Sequence, residues 1–299
     1  MVRFRLLFLL FILLATHSCK QDGSSSNDSD SFDEDTSGFA QLETELKDVY
    51  YRFPSPGEMF RFIDSSGLQF DNTLLLPVKN ADNYLDSKSQ AVNLGIYVAD
   101  LAYITLFQRY KESMDYLHVI YILSEKIRIS SAFNKNLVIR IESNIQNIDS
   151  LKVISDNALT SLINYLVRNN KENTFAIISM GGFVESLYLS LNLVSSYSSE
   201  NPTIQRIIDQ KIAFDNLIRY SNEYSDDPNV RSILEIAEPL TEFFNKITFI
   251  EKKTKVSKAE DGRIIIGGGK QLKINEEEFY EFKTVVTKTR KNFIQIYQN

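Results

Sequence analysis

Two long apolar stretches restrict this chain more than any other feature. Residues 91–107, AVNLGIYVADLAYITLF, hold a single charged side chain, Asp100. Residues 176–194, AIISMGGFVESLYLSLNLV, also hold one, Glu185. Each stretch is long enough for about five helical turns and is apolar all round, the pattern of a helix buried among other helices. A lone carboxylate there must find a partner, because an unpaired buried charge is expensive. Each acid is followed three residues on by a tyrosine, Tyr103 and Tyr188, a spacing that places acid and phenol on one helix face. Each is also preceded by glycine, Gly95 and Gly181-Gly182. Glycine inside a helix costs about 1 kcal/mol against alanine, so these positions predict close packing or a kink.

Asp100, Tyr103, Glu185 and Tyr188, with Tyr97, Gly181 and Gly182 beside them, form the candidate site. On one reading it is a buried polar cluster that fixes helix register, its acids satisfied by tyrosine hydroxyls, helix N-termini or a lysine. On the other it lines a pocket for a polar or cationic ligand.

Helical signals dominate elsewhere. Leu42, Leu46 and Val49 recur at helical spacing in residues 39–53, and Ser55-Pro56-Gly57-Glu58 reads as a capping box whose helix ends at Gly67. A loop follows over 68–79, then helices over about 87–108, 111–129 and 136–146. Asp149 or Ser150 caps a further helix that ends near Asn169. Asn201-Pro202 and Asp227-Pro228 open helices that run to about Asn222 and Lys246, and Asn275 with Glu278 opens a last one. The exception is GRIIIGGGKQLKI, residues 262–274, where two short β-prone runs flank three glycines. It predicts a β-hairpin or a mobile loop. It lacks the spacing of a phosphate-binding loop, and no Ser or Thr follows Lys270. The short connections suit antiparallel helix neighbours. The expectation is an all-α fold, a single multi-helix bundle of about nine to ten helices with a small hairpin near residues 262–274. Tyr and Phe are plentiful and Trp is absent, so the core should be rich in aromatic rings.

The N-terminus predicts an address. Arg3 and Arg5 precede an uninterrupted apolar run over residues 6–15. That run is too short to span a bilayer, which takes about 20 residues. Small and polar residues then lead into Cys19, the only cysteine in the chain. The order of charge, short apolar core and small residues is that of a secretory signal peptide. It resembles a bacterial lipoprotein signal, in which the cysteine is diacylated and becomes the first residue of the mature chain. Ser18 fits that pattern. Thr16 and His17 depart from it, leaving ordinary cleavage after Ser18 as the alternative. Two acyl chains hold a protein on a membrane stably, whereas one does so only marginally. Residues 20–38 carry Asp22, Asp28, Asp30, Asp33, Glu34 and Asp35 among serines, with too little apolar surface to offset chain entropy. The expected organisation is a signal peptide over 1–18, an acidic disordered tether over 19–38 beginning at lipidated Cys19, and an all-α domain over 39–299.

Composition narrows the chemistry. The formal net charge is −6, and loss of Arg3 and Arg5 with residues 1–18 makes it −8. Nucleic acid is a poor partner for such a chain. After the signal, His118 is the only histidine. Histidine-based metal clusters and the paired Glu-x-x-His motifs of di-iron bundles are therefore missing, and no Gly-x-Ser-x-Gly elbow occurs. His118 lies between Leu117 and Val119 and reads as a packed or surface side chain. Acids are abundant, but abundance alone does not mark a hydrolase. No metal, cofactor or catalytic residue is expected.

Pro54-Ser55-Pro56, Asn93-Leu94-Gly95-Ile96-Tyr97 with Ala99-Asp100-Leu101, and Gly181-Gly182-Phe183-Val184-Glu185 together resemble a family of all-helical lipoproteins of the Bacteroidota. The acidic cluster after Cys19 resembles the surface-export signal of such lipoproteins. The resemblance implies a helical envelope protein of the outer membrane, on its periplasmic face or at the cell surface, and implies no reaction. The expected function is a membrane-anchored binding or scaffold domain whose partners are the membrane and other envelope proteins. The alternatives are a protein that captures a small ligand for a transporter, and an enzyme using Asp100 and Glu185 as acid and base.

Overall fold

Side-chain caps set where most of the helices begin. Asp86 accepts the amide of Ser89 at 2.9 Å and opens α1, Ser87–Leu106. Asn147 caps Ser150 and opens Ile148–Arg168. Asn201 and Asp227 cap helices that carry proline in the first turn, Pro202–Asp209 and Pro228–Lys246. Asn275 and Glu278 complete a reciprocal capping box at the start of Glu276–Ile294. The computed structural model describes residues 59–60, 68–132, 135–144, 147–258 and 264–295, all within one compact unit, Leu42–Asn299. The signal peptide, Cys19, the acidic tether and the helices expected over 39–53 and up to Gly67 lie outside the described residues, apart from Met59 and Phe60.

Nine α-helices are present among the described residues. They are α1, α2 (Tyr110–Lys126), α3 (Lys135–Ser143), α4 (Ile148–Arg168), α5 (Glu172–Leu193), α6 (Pro202–Asp209), α7 (Lys211–Asn222), α8 (Pro228–Lys246) and α9 (Glu276–Ile294). The fold is all-α with one small antiparallel sheet, as the sequence predicts. Two details differ. The helix expected from Pro202 to Asn222 is two, because the backbone turns at Gln210 between α6 and α7. The hairpin is longer than expected and its turn lies elsewhere: β1 (Phe249–Lys258) pairs with β2 (Ile264–Leu272), so the three glycines sit inside a strand. They lie where the register slips between Lys252 and Lys255. Glycine in a strand commonly marks such a bulge rather than a turn.

The core is built on the crossing of α1 and α5, the most extensively packed helix pair. The glycines explain it. A β-carbon on Gly95 would lie 1.9 Å from the Ile178 carbonyl oxygen, and one on Gly181 would lie 2.0 Å from that of Val92. Only helices without side chains at these positions can touch backbone to backbone. A β-carbon on Gly182 would sit 3.2 Å from the Gly95 carbonyl oxygen, a tight but milder approach. The apolar window of α5 is long enough to cross a membrane by length and composition, but 83% of it is buried inside the domain. Helices α2 and α9 pack on this pair, and α8 packs on α9 through aromatic rings. Phe243 stacks on Phe282 at 4.6 Å, and Phe244 meets Phe214 at 5.0 Å and Phe282 at 5.1 Å. Such ring pairs contribute roughly 0.5–1.5 kcal/mol each beyond their buried area.

Candidate functional site

The segment 68–78 carries no α-helix and only short 3₁₀ turns, Asn72–Leu74 and the start of Val78–Asn83. It runs as a strap across α1, α2 and α9. Its backbone cannot pair with helix backbones, whose groups are already used, so the hydrogen bonds that tie it to them come from side chains. Tyr103 Oη accepts the amide of Asp71 at 3.0 Å. Asp100 Oδ2 accepts the amide of Leu76 at 3.1 Å. Tyr116 Oη donates to the carbonyl of Leu76 at 2.8 Å, and Tyr97 Oη donates to that of Pro77 at 3.0 Å. Arg290 Nη2 donates to the carbonyl of Leu74 at 3.0 Å.

Beneath the strap, Asp100 and Glu185 are both fully buried, each with 0% exposure. Arg290 joins them. Its guanidinium grips the Glu185 carboxylate with two donors, Nε to Oε2 and Nη2 to Oε1, the second at 2.8 Å. The same guanidinium lies over the ring of Tyr188, 4.1 Å from its centre, so the cation is held by a bidentate acid on one side and an aromatic face on another. Burial, the largest single influence, favours the neutral form of Arg290, but the charge and hydrogen bonds of Glu185 together with the charges of Asp100 and Tyr188 outweigh it and hold the guanidinium above its ordinary range. Burial, and after it the negative charge of Glu185, push Asp100 well above the usual carboxylate range against the opposing pull of Arg290 and the Leu76 amide. Among the described residues, Asp100 Oδ1 has no hydrogen-bond donor although it is buried.

The two acids predicted to be site residues are thus brought to one cluster, and their tyrosines are used differently from expectation. Tyr103 bonds the Asp71 amide and packs against Phe70, at 5.4 Å between ring centres, and Phe107, at 4.9 Å. Tyr188 meets Arg290 through its ring. Tyr97 serves the strap, and Gly181 and Gly182 serve the helix crossing. The partners of the acids are a backbone amide for Asp100 and a basic side chain, Arg290, for Glu185. His118 is exposed on α2.

Sequence reasoning missed Arg290, Tyr116 and the Leu76 amide. Arg290 left a signal. Phe279, Phe282, Val286 and Phe293 form the buried stripe of α9, and Arg290 follows Val286 by four residues, on that stripe. A basic residue on an apolar stripe is the complement of an acid in an apolar helix.

Among the described residues, both carboxylates are buried, Glu185 is paired with Arg290, and the strap lies over both. Among the described residues no group of three His, Cys, Asp or Glu side chains could hold a metal ion. A small cleft between Tyr197, Asn201, Gln205 and Lys273 has room for about one water molecule. No family model, no curated protein and no solved structure matches the chain.

Proposed function

We propose that this protein is a lipid-anchored component of a bacterial cell envelope, held at the outer membrane through Cys19, whose helical domain binds or scaffolds other envelope proteins and catalyses no reaction. The observation that carries the non-catalytic part is the sealing of Asp100 and Glu185. An enzyme using them as acid and base would present both carboxylates to a cleft. Here Asp100 holds the Leu76 amide and Glu185 holds Arg290, so both are used in fastening the fold. The anchor rests on the order of Arg3, Arg5, the apolar run and Cys19, and the residues after Cys19 supply a polar, acidic spacer.

The reading is tested by expressing the full chain and its Cys19→Ser variant in a bacterial host and separating membrane from soluble fractions. The wild-type chain is expected in the membrane fraction with the added mass of acyl groups, and the variant in the soluble fraction without it. Equal membrane association and equal processed mass of the two would defeat the anchor.

A further inference from the structure

Asp100 Oδ1 presents an unresolved piece of chemistry. It is fully buried, no group among the described residues donates to it, and the acid buried beside Asp100, whose negative charge acts on it, is Glu185, whose carboxylate can only accept. Two carboxylates cannot bond each other without a hydrogen between them. Both oxygens of Glu185 already accept from Arg290, so Glu185 is the ionised member and Asp100 is the one placed to carry the proton. A hydrogen on Oδ1 satisfies that oxygen, leaves Oδ2 free to accept the Leu76 amide, and brings the cluster of Asp100, Glu185 and Arg290 to zero net charge.

We propose that Asp100 and Glu185 share one proton, and that this proton is the latch holding the strap 68–78 on the helical core. Its removal by hydroxide or a buffer base gives a carboxylate at Asp100 and a water or protonated buffer molecule in solution, with no other bond changed. Two negative charges then face one guanidinium in a site closed to water, a net buried charge that is costly to hold. Lifting the strap is the least expensive relief. It contains no α-helix, it covers Asp100 through Leu76 and Arg290 through Leu74, and its removal lets water reach both acids while α1, α5 and α9 remain packed.

The other charged or titratable groups around Asp100 do not compete for the role. From its own helix come Tyr97 and Tyr103, from α2 Tyr116, and from α5 Tyr188, all phenols that burial, first among the causes, pushes above their ordinary range. Arg290 on α9 stays charged. Asp71 on the strap is exposed, and its bonds to Thr73 hold it below the usual range, so it is ionised throughout. Across the span between ordinary carboxylic acids and ordinary phenols, the bridging proton is the group in this cluster that leaves.

The test is amide hydrogen exchange of the full chain over a pH series spanning that interval, corrected for the intrinsic rate. Protection of the strap peptide containing Leu76 is expected to hold at the acid end. Past one transition it should fall about tenfold per pH unit, the slope of a single proton, while α8 stays protected. Asp100→Asn should abolish the step and keep the strap protected, since the amide donates to Glu185 and accepts from Leu76 as the protonated acid does. A flat profile in the wild type, or a step that persists in the variant, overturns the proposal. Infrared spectroscopy of the wild type is an independent check should the variant fail to fold. A buried carboxylic acid band at neutral pH is expected, persisting while strap protection is already falling and lost only where the closed form itself gives up the proton. Absence of that band at neutral pH also overturns it.

Discussion

Glu185 and Arg290, 105 residues apart in sequence, meet through two hydrogen bonds inside the helical core, and the same guanidinium reaches on to the carbonyl of Leu74. One cation thereby joins α5, α9 and the strap. The Glu185 side chain is fully buried and that of Arg290 is 13% exposed, so the pair belongs to the class in which removing one partner strands the other rather than to the weak surface pairs.

The first prediction follows from that stranding. Arg290→Met keeps most of the side-chain length and leaves Glu185 without its counter-ion. Stability measured by urea unfolding should fall by about 3–5 kcal/mol, the usual consequence of breaking a buried pair. Arg290→Lys restores a charge but not the two-pronged grip or the planar contact with Tyr188, so it should recover only part of the loss. Equal stability of Arg290→Met and wild type would mean that the pair contributes nothing.

Much of this was legible in the sequence. The apolar helices around Asp100 and Glu185 could be read because their composition departs so far from an exposed helix. Asn201-Pro202, Asp227-Pro228 and the Asn275–Glu278 box could be read because capping is local chemistry within four residues. What could not be read depends on distant chain. No pattern near Leu76 announces that its amide will meet a carboxylate 24 residues on. The turn at Gln210 has neither Gly nor Pro to signal it, and β1 shows itself as a strand only through pairing with β2. Arg290 was readable in principle, from its place on the buried stripe of α9. It was hidden by the many other basic residues of that helix.

The glycines give a second prediction with an internal control. Alanine is the better helix former by about 1 kcal/mol, so where space allows the substitution should help. At Gly95 and Gly181 the new β-carbon would meet backbone oxygen at 1.9 and 2.0 Å, and backbone cannot move aside as a side chain can. Gly95→Ala and Gly181→Ala should each lose about 3 kcal/mol or more as α1 and α5 are forced apart, at the top of the range for overpacking. Gly182→Ala, at 3.2 Å, should change stability by less than about 1 kcal/mol. Thermal unfolding of the three variants orders them. If Gly182→Ala proved the most damaging, the geometry of the crossing would be wrong.

A third prediction separates the ties of the strap. Tyr116 and Tyr97 donate to adjacent carbonyls, those of Leu76 and Pro77. Phenylalanine at either position keeps the ring and removes the donor, leaving a carbonyl short of its partner at about 1–3 kcal/mol where it is buried. Leu76 is 2% exposed, so Tyr116→Phe should cost more than Tyr97→Phe, whose bond is only partly buried. The double variant should cost something other than the sum, because both bonds hold one short segment. A double-mutant cycle in urea measures the coupling, and strict additivity would show that the strap does not move as a unit.

The last prediction concerns stability against pH, where the sign decides. Asp100 is raised in the folded protein, chiefly by burial and then by Glu185. The folded state therefore holds a proton that the unfolded chain gives up in the ordinary aspartate range of about 4. The stability contributed by Asp100 is fully present below that range. It declines as pH rises towards the folded value, because over that interval the unfolded state binds fewer protons. Asp100→Asn removes the titration and keeps both hydrogen bonds. Relative to wild type, the variant should therefore gain stability steadily as pH rises from about 4, and it should match or exceed wild type at neutral pH. Asp100→Ala loses the bond to the Leu76 amide and should be the less stable of the two variants at every pH. Urea titrations of the three proteins at several pH values give the curves. A wild-type curve that rises with pH relative to Asp100→Asn would mean that Asp100 is ionised in the fold, and the account of its burial beside Glu185 would fall with it.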